Sequence, residues 1–203
     1  LEYIFHLRPT ACWSNGDAVT AEDFAAGLRR SVAPATGSYY SQILAPIANA
    51  AEIIAGLQPV SALGVDALDA TTLRIRLKSP TPFLPGLLSP ATTFAVHRPS
   101  LERYGAGFAR PGNLVGNGAY LLAEWGVQSH VKLKRNPYYW NNAATRIDTV
   151  FYYPTEDVDS EVKRYRAGEL DYTYEVPQSQ APRLREQRPG ELRAAPYLGN
   201  SSF

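Results

Sequence analysis

Strict alternation of apolar and polar residues marks the chain at several points. Residues 71–78, Thr-Thr-Leu-Arg-Ile-Arg-Leu-Lys, put Leu73, Ile75 and Leu77 on one side and charges on the other, the period-two signature of a half-buried strand. Tyr3 to Arg8 alternates in the same way until Pro9 stops it, because proline cannot donate to a ladder. Two alternating runs at 119–125 and 130–135, separated by Gly126-Val127-Gln128-Ser129, predict a hairpin. Segments 147–153, 170–174 and 191–195 predict further strands.

Helical signals lie between these runs. Thr20 precedes Ala21-Glu22-Asp23, so its hydroxyl can cap free amides while the acids favour the positive end of a helix over 21–31 that stops before Pro34. Just upstream, Ser14-Asn15-Gly16-Asp17 predicts a tight turn, with Trp13 expected to pack beneath that helix. Two short helices are predicted between 39 and 56, the second ending at Gly56, and another short one over 83–88 among closely spaced prolines. Thr155-Glu156-Asp157 predicts the start of a helix with Val158, Val162 and Tyr165 at core spacing and Gly168 at its end, and 178–187 suits another. Strands and helices joined by both hairpin-like and crossover-like connections predict an α/β, or mixed α+β, architecture with a mixed sheet.

Composition then narrows the function classes. With 203 residues, 45% apolar and 19% charged, the chain reads as one large or two small globular domains rather than a disordered or disulfide-stapled segment. The net charge of +1 supplies no bulk field for nucleic acid or anionic lipid. The longest uncharged run, 31–51, is broken by Pro34, Gly37 and Pro46 and does not read as a membrane span. A start at Leu1 and the absence of methionine suggest a removed leader or a piece of a longer protein.

The usual chemical signatures are missing. Cys12 is the single cysteine, and His6, His97 and His130 stand at no metal-ligand spacing and beside no nucleophile-elbow motif, so neither a metal site nor a hydrolase triad is expected. Glu156, Asp157, Asp159 and Glu161 fall in the first turns of a predicted helix, where they complement its dipole. Gly105 to Gly107 and Gly112 to Gly118 lack the strand-loop-helix setting of a phosphate loop. Tyrosine is the conspicuous residue, thirteen in all, with paired occurrences at Tyr39-Tyr40, Tyr138-Tyr139 and Tyr152-Tyr153. Its broad ring and single hydroxyl suit clefts that accept varied ligands.

Taken in order, these segments resemble the peptide-binding branch of the extracytoplasmic solute-binding proteins of ABC transporters, family 5. The resemblance rests on Tyr3-Ile4-Phe5-His6-Leu7-Arg8, Trp13-Ser14-Asn15-Gly16-Asp17, Val19 to Phe24 with Arg30, and Pro80-Thr81-Pro82-Phe83. It continues through Asn113 to Tyr120, Asn136-Pro137-Tyr138-Tyr139-Trp140-Asn141-Asn142 and Tyr165 to Asp171, covering nearly the whole chain. It implies a type II periplasmic-binding-protein-like fold, present in part. Residues 1–96 would form a lobe II-like domain, and 97–203 part of lobe I up to the crossover into a lobe III beyond this chain.

The function implied is reversible oligopeptide binding in an inter-lobe cleft, main chain to main chain, for delivery to ABC permease subunits. The protein would be a monomer, periplasmic or anchored outside the membrane as a lipoprotein, without enzyme activity, cofactor or metal. Positions matching ligand-facing ones are Tyr174, Glu175 and Tyr197, with Tyr39 or Tyr40 approaching from lobe II. The alternatives are the same fold holding a dipeptide, haem or nickel, and an interaction module that does not transport.

Overall fold

The computed structural model describes residues 1–195, so Tyr197 lies outside the described residues. The chain divides into two compact units, Leu1–Tyr152 and Tyr153–Phe203.

The first unit opens with β1 (Glu2–His6), followed by α1 (Ala21–Val32), α2 (Ala50–Ile54), β2 (Val65–Ala67) and β3 (Thr72–Arg76). These three strands form one sheet in the order β1-β3-β2, with Tyr3 opposite Ile75 and Phe5 opposite Leu73. Leu73 and Ile75 point into a core shared with Ala21, Ala25, Leu28 and Val32 of α1 and with Leu44, Ile47 and Ile53. The predicted alternation in β3 is therefore the core face of this sheet. α3 (Leu84–Leu87) and α4 (Arg98–Tyr104) follow, then β4 (Tyr120–Gly126), β5 (His130–Arg135) and β6 (Thr149–Tyr152), which make a second sheet in sequence order. A register shift between Leu122 and Glu124 interrupts the β4–β5 ladder, and Gln128 takes the positive φ of 56° in their turn.

Each described sheet is antiparallel throughout, which corrects the expectation of a mixed sheet. The connections explain it. β2 to β3 and β4 to β5 are joined by only a few residues, and a parallel pair needs a crossover of a dozen or more.

The start of α1 shows why the local sequence folds as it does. The Asp23 carboxylate accepts from both the Thr20 amide and the Thr20 hydroxyl at 2.9 Å, and the same Oδ2 accepts from the Trp13 indole at 3.2 Å. Trp13 is 2% exposed and lies under the helix as predicted.

In the second unit, α5 (Val158–Arg166) is capped by Asp157, whose side chain accepts from the Asp159 and Ser160 amides; α6 (Ala181–Gln187) follows a long turn. Segments 170–174 and 191–195, expected as strands, run without strand structure. A strand exists only where another backbone supplies the ladder, and none of the described residues does so for these two.

Candidate functional site

The second unit holds a cleft of about 380 Å³. Val162 of α5 and Leu184 of α6 form its apolar floor, and both are buried. The turn between the helices gives it Tyr172, Thr173 and Tyr174 along one wall. This turn starts at Gly168, whose φ of +78° lets the chain reverse after α5. Tyr172 is 74% and Tyr174 81% exposed. Their rings therefore offer apolar area and hydroxyls to whatever enters.

Tyr165, Arg188 and Glu191, which also line the cleft, form a polar and internally paired part of its rim. The Tyr165 hydroxyl donates to Glu191 Oε2 at 2.7 Å, and Arg188 Nη1 donates to the two carboxylate oxygens at 3.3 and 3.1 Å. These donors hold the Glu191 carboxyl below the usual range, the Tyr165 hydroxyl contributing most; reciprocally the bond to Glu191 raises the Tyr165 phenol. The Tyr174 amide donates to Glu161 Oε1 at 3.2 Å, which ties the tyrosine wall to α5.

Of the residues singled out from sequence, Tyr174 lines this cleft. Glu175 is exposed and faces a separate, open depression with Glu156, Asp157 and Asp159. A strand over 170–174 would put Tyr172 and Tyr174 on one face and Thr173 on the other, yet all three line the cleft; an irregular backbone has no period of two to separate them. Tyr39 and Tyr40, 98% and 69% exposed, belong to the first unit on the turn after Gly37. Tyr165, at core spacing in the sequence, instead carries a rim hydroxyl, and Arg188 and Glu191 stand in no motif that marks them as its partners. Their link spans 26 residues of chain, which no local pattern reports.

In the first unit, Asp17, His97 and Ser100 superficially resemble a catalytic array. His97 Nε2 lies 3.0 Å from Asp17 Oδ2, and Nδ1 lies 2.7 Å from the Ser100 hydroxyl. The Ser100 amide donates to Nδ1 at 3.3 Å, so Nδ1 is an acceptor and the proton sits on Nε2 towards Asp17. His97 is thus the N-cap of α4. Ser100 is only 6% exposed, out of reach of a substrate. Among the described residues no group of three His, Cys, Asp or Glu side chains is placed to hold a metal ion, and no helix is long and apolar enough to cross a membrane.

Two antiparallel sheets with helices packed beside them make a mixed α/β fold, and residues 1–202 match the family described as bacterial extracellular solute-binding proteins, family 5 middle. The chain belongs to that family. It is 41% identical over 199 residues to the periplasmic oligopeptide-binding protein OppA of Escherichia coli K12, covering 97% of this chain and 37% of that protein. It is 39% identical over 203 residues to the probable deoxycholate-binding periplasmic protein YgiS of the same organism, covering 99% of this chain and 38% of the relative. The structure of Haemophilus influenzae OppA in complex with RPPGFSPFR superposes with a TM-score of 0.91 at 37% identity, over 94% of this chain and 38% of that one. The chain thus spans little more than a third of the length of the relatives it matches. Its fold is the corresponding part of the OppA-type periplasmic-binding-protein fold.

Proposed function

We propose that the protein to which this chain belongs is the extracytoplasmic substrate-binding component of an ABC importer for oligopeptides. The observation that carries the reading is the cleft whose wall is Tyr172, Thr173 and Tyr174, two large rings exposed and the rim polar groups already paired with each other. Such a wall contacts varied side chains without demanding one charge, which is what a receptor for peptides of many sequences needs. Tyr174 is proposed to face the ligand, with Glu175, Tyr197 and Tyr39 or Tyr40 as further contacts. Residues 1–96 are assigned to a lobe II-like domain and 97–203 to part of lobe I.

On this reading the protein acts by reversible binding rather than catalysis, as a monomer that is either periplasmic or anchored outside the membrane as a lipoprotein, handing its ligand to permease subunits. A second reading, a small amphipathic ligand in place of peptide, is favoured by the 39% identity to a relative described as probably deoxycholate-binding. Calorimetric titration of the full-length protein with a mixed tri- to pentapeptide pool and with deoxycholate separates the two. Peptide binding that weakens by about 1 kcal/mol or more in Tyr174→Ala supports the proposal. Binding of deoxycholate alone transfers the site to the second reading. Peptide affinity unchanged in Tyr174→Ala removes that residue from the site.

A further inference from the structure

Asn-Gly occurs twice in the chain, at Asn15-Gly16 and at Asn117-Gly118. We propose that Asn117 is a site of spontaneous covalent modification, converting through a cyclic imide to aspartate and isoaspartate, while Asn15 is held unreactive by its own hydrogen bonds.

The reaction needs only water as co-reactant. The Gly118 amide nitrogen, after losing its proton to solvent base, attacks Asn117 Cγ. The Cγ–Nδ2 bond breaks and Nδ2 leaves as ammonia, closing a five-membered imide. One water molecule then opens either carbonyl–nitrogen bond of the ring and leaves aspartate or isoaspartate. Glycine on the nucleophilic side favours the step because no Cβ hinders the approach or restricts the backbone.

Exposure alone orders the two sites the wrong way, since Asn15 is exposed and Asn117 half-buried. Hydrogen bonding reverses that order. The Gly16 amide, which would be the nucleophile at the first site, donates to the Trp13 carbonyl at 2.9 Å, and Trp13 is fixed in the core. The leaving group is held too: Asn15 Nδ2 donates to Asp17 Oδ2 at 2.7 Å, and Asn15 Oδ1 accepts from the Asp17 amide at 3.1 Å. At the second site neither the Gly118 amide nor the Asn117 side chain has a hydrogen-bond partner among the described residues.

The residues flanking Asn117 are nevertheless anchored. Gly116 accepts from the Ser14 amide at 2.8 Å, and the Gly118 carbonyl accepts at 2.8 Å from Asn136 Nδ2, a side chain with no exposure. Isoaspartate would insert an extra methylene into the main chain between these two anchors. Modification should therefore lower the melting temperature.

The test incubates the full-length protein to which this chain belongs in mildly alkaline buffer, folded and in parallel unfolded in urea, and follows both Asn-Gly peptides by mass spectrometry with fragmentation that distinguishes isoaspartate. In urea both sites should react at similar rates. In the folded protein the Asn117 product should lead the Asn15 product by about tenfold or more, the factor expected when hydrogen bonds must open before attack. An Asn15 product that equals or leads it overturns the proposal, as does an Asn117 that reacts in urea and not in the folded chain. Gly118→Ala is the companion variant, because a Cβ there meets nothing within 4 Å and the backbone has no positive φ. It should fold normally and lose most of the Asn117 product. An undiminished product would mean direct amide hydrolysis without the imide.

Discussion

Trp13 is the residue on which the first unit turns. Its indole is buried, donates to Asp23 and meets the edge of His97 at 5.3 Å between ring centroids. Trp13→Ala removes the ring and leaves a cavity, so urea melts should show a loss of about 3–5 kcal/mol. Trp13→Phe keeps most of the packing and removes one donor to a carboxylate that Thr20 and Arg98 still serve; its cost should be nearer 1 kcal/mol. A loss below about 1 kcal/mol for the alanine variant would contradict the buried anchor. Burial of Trp13 was legible from the turn and helix around it. Its polar neighbours were not, because Asp17 and His97 are 80 residues apart in sequence. That pair carries a pH dependence. Hydrogen bonds from Asn15 first and His97 second hold the Asp17 carboxyl below the usual aspartate range. A carboxyl depressed on folding contributes stability above its unfolded pKa and loses it as pH falls through the folded value. The stability gap between the natural chain and Asp17→Asn should therefore be full near neutrality and close in acid below the carboxylate range. A gap that stays constant across denaturant melts down that range would show that Asp17 does not act through its charge.

Local signals succeeded at the scale of elements where the element completes itself. α1 was readable because Thr20 and Asp23 cap it within four residues, and β4 with β5 because a short turn brings its own partner. Segments 170–174 and 191–195 failed for the complementary reason, since alternation predicts a face to bury and cannot supply the neighbouring backbone. The cleft was half legible in the same sense: tyrosine abundance pointed to it, while its rim depends on pairings between α5 and the chain after α6. Packing of elements gives a sharper test at Gly27 in α1. Helix propensity alone says that alanine there should stabilise by about 0.8–1.0 kcal/mol. A Cβ at that position, however, would clash with the Phe94 carbonyl oxygen and lie 3.4 Å from Ala95 Cα, both backbone atoms of the segment packed across α1. Overpacking against backbone costs about 1–3 kcal/mol or more, so the clash outweighs the propensity and Gly27→Ala should lower the urea midpoint. A raised midpoint would show that the 91–95 segment gives way without cost.

The two units differ in how much apolar surface each encloses, and this difference bears on the ligand binding proposed for the second. The first buries an extensive core that includes Leu28, Leu44, Ile47, Ile53, Leu63 and Ile75. Among the described residues the second buries only Val162 and Leu184, with exposed tyrosines along its cleft. Local opening free energy follows buried apolar contact, so the second unit should sample open states at far lower cost than the first. In native-state hydrogen exchange of this chain, amides of α5 and α6 should exchange well before those of α1 and β3. Equal protection would refute the inference from burial. The ligand supplies the second arm of the prediction. A peptide that contacts Tyr172 and Tyr174 binds the closed arrangement of this wall and not its opened states, adding about 2.7 kcal/mol of protection at roughly 100 times Kd. In the full-length protein, saturating peptide should therefore slow exchange in α5, α6 and the 172–174 turn more than in α1 and β3. If peptide protected α1 and β3 while leaving this turn unchanged, the site would lie in the first unit, near Tyr39 and Tyr40, and the tyrosine wall would be part of the scaffold.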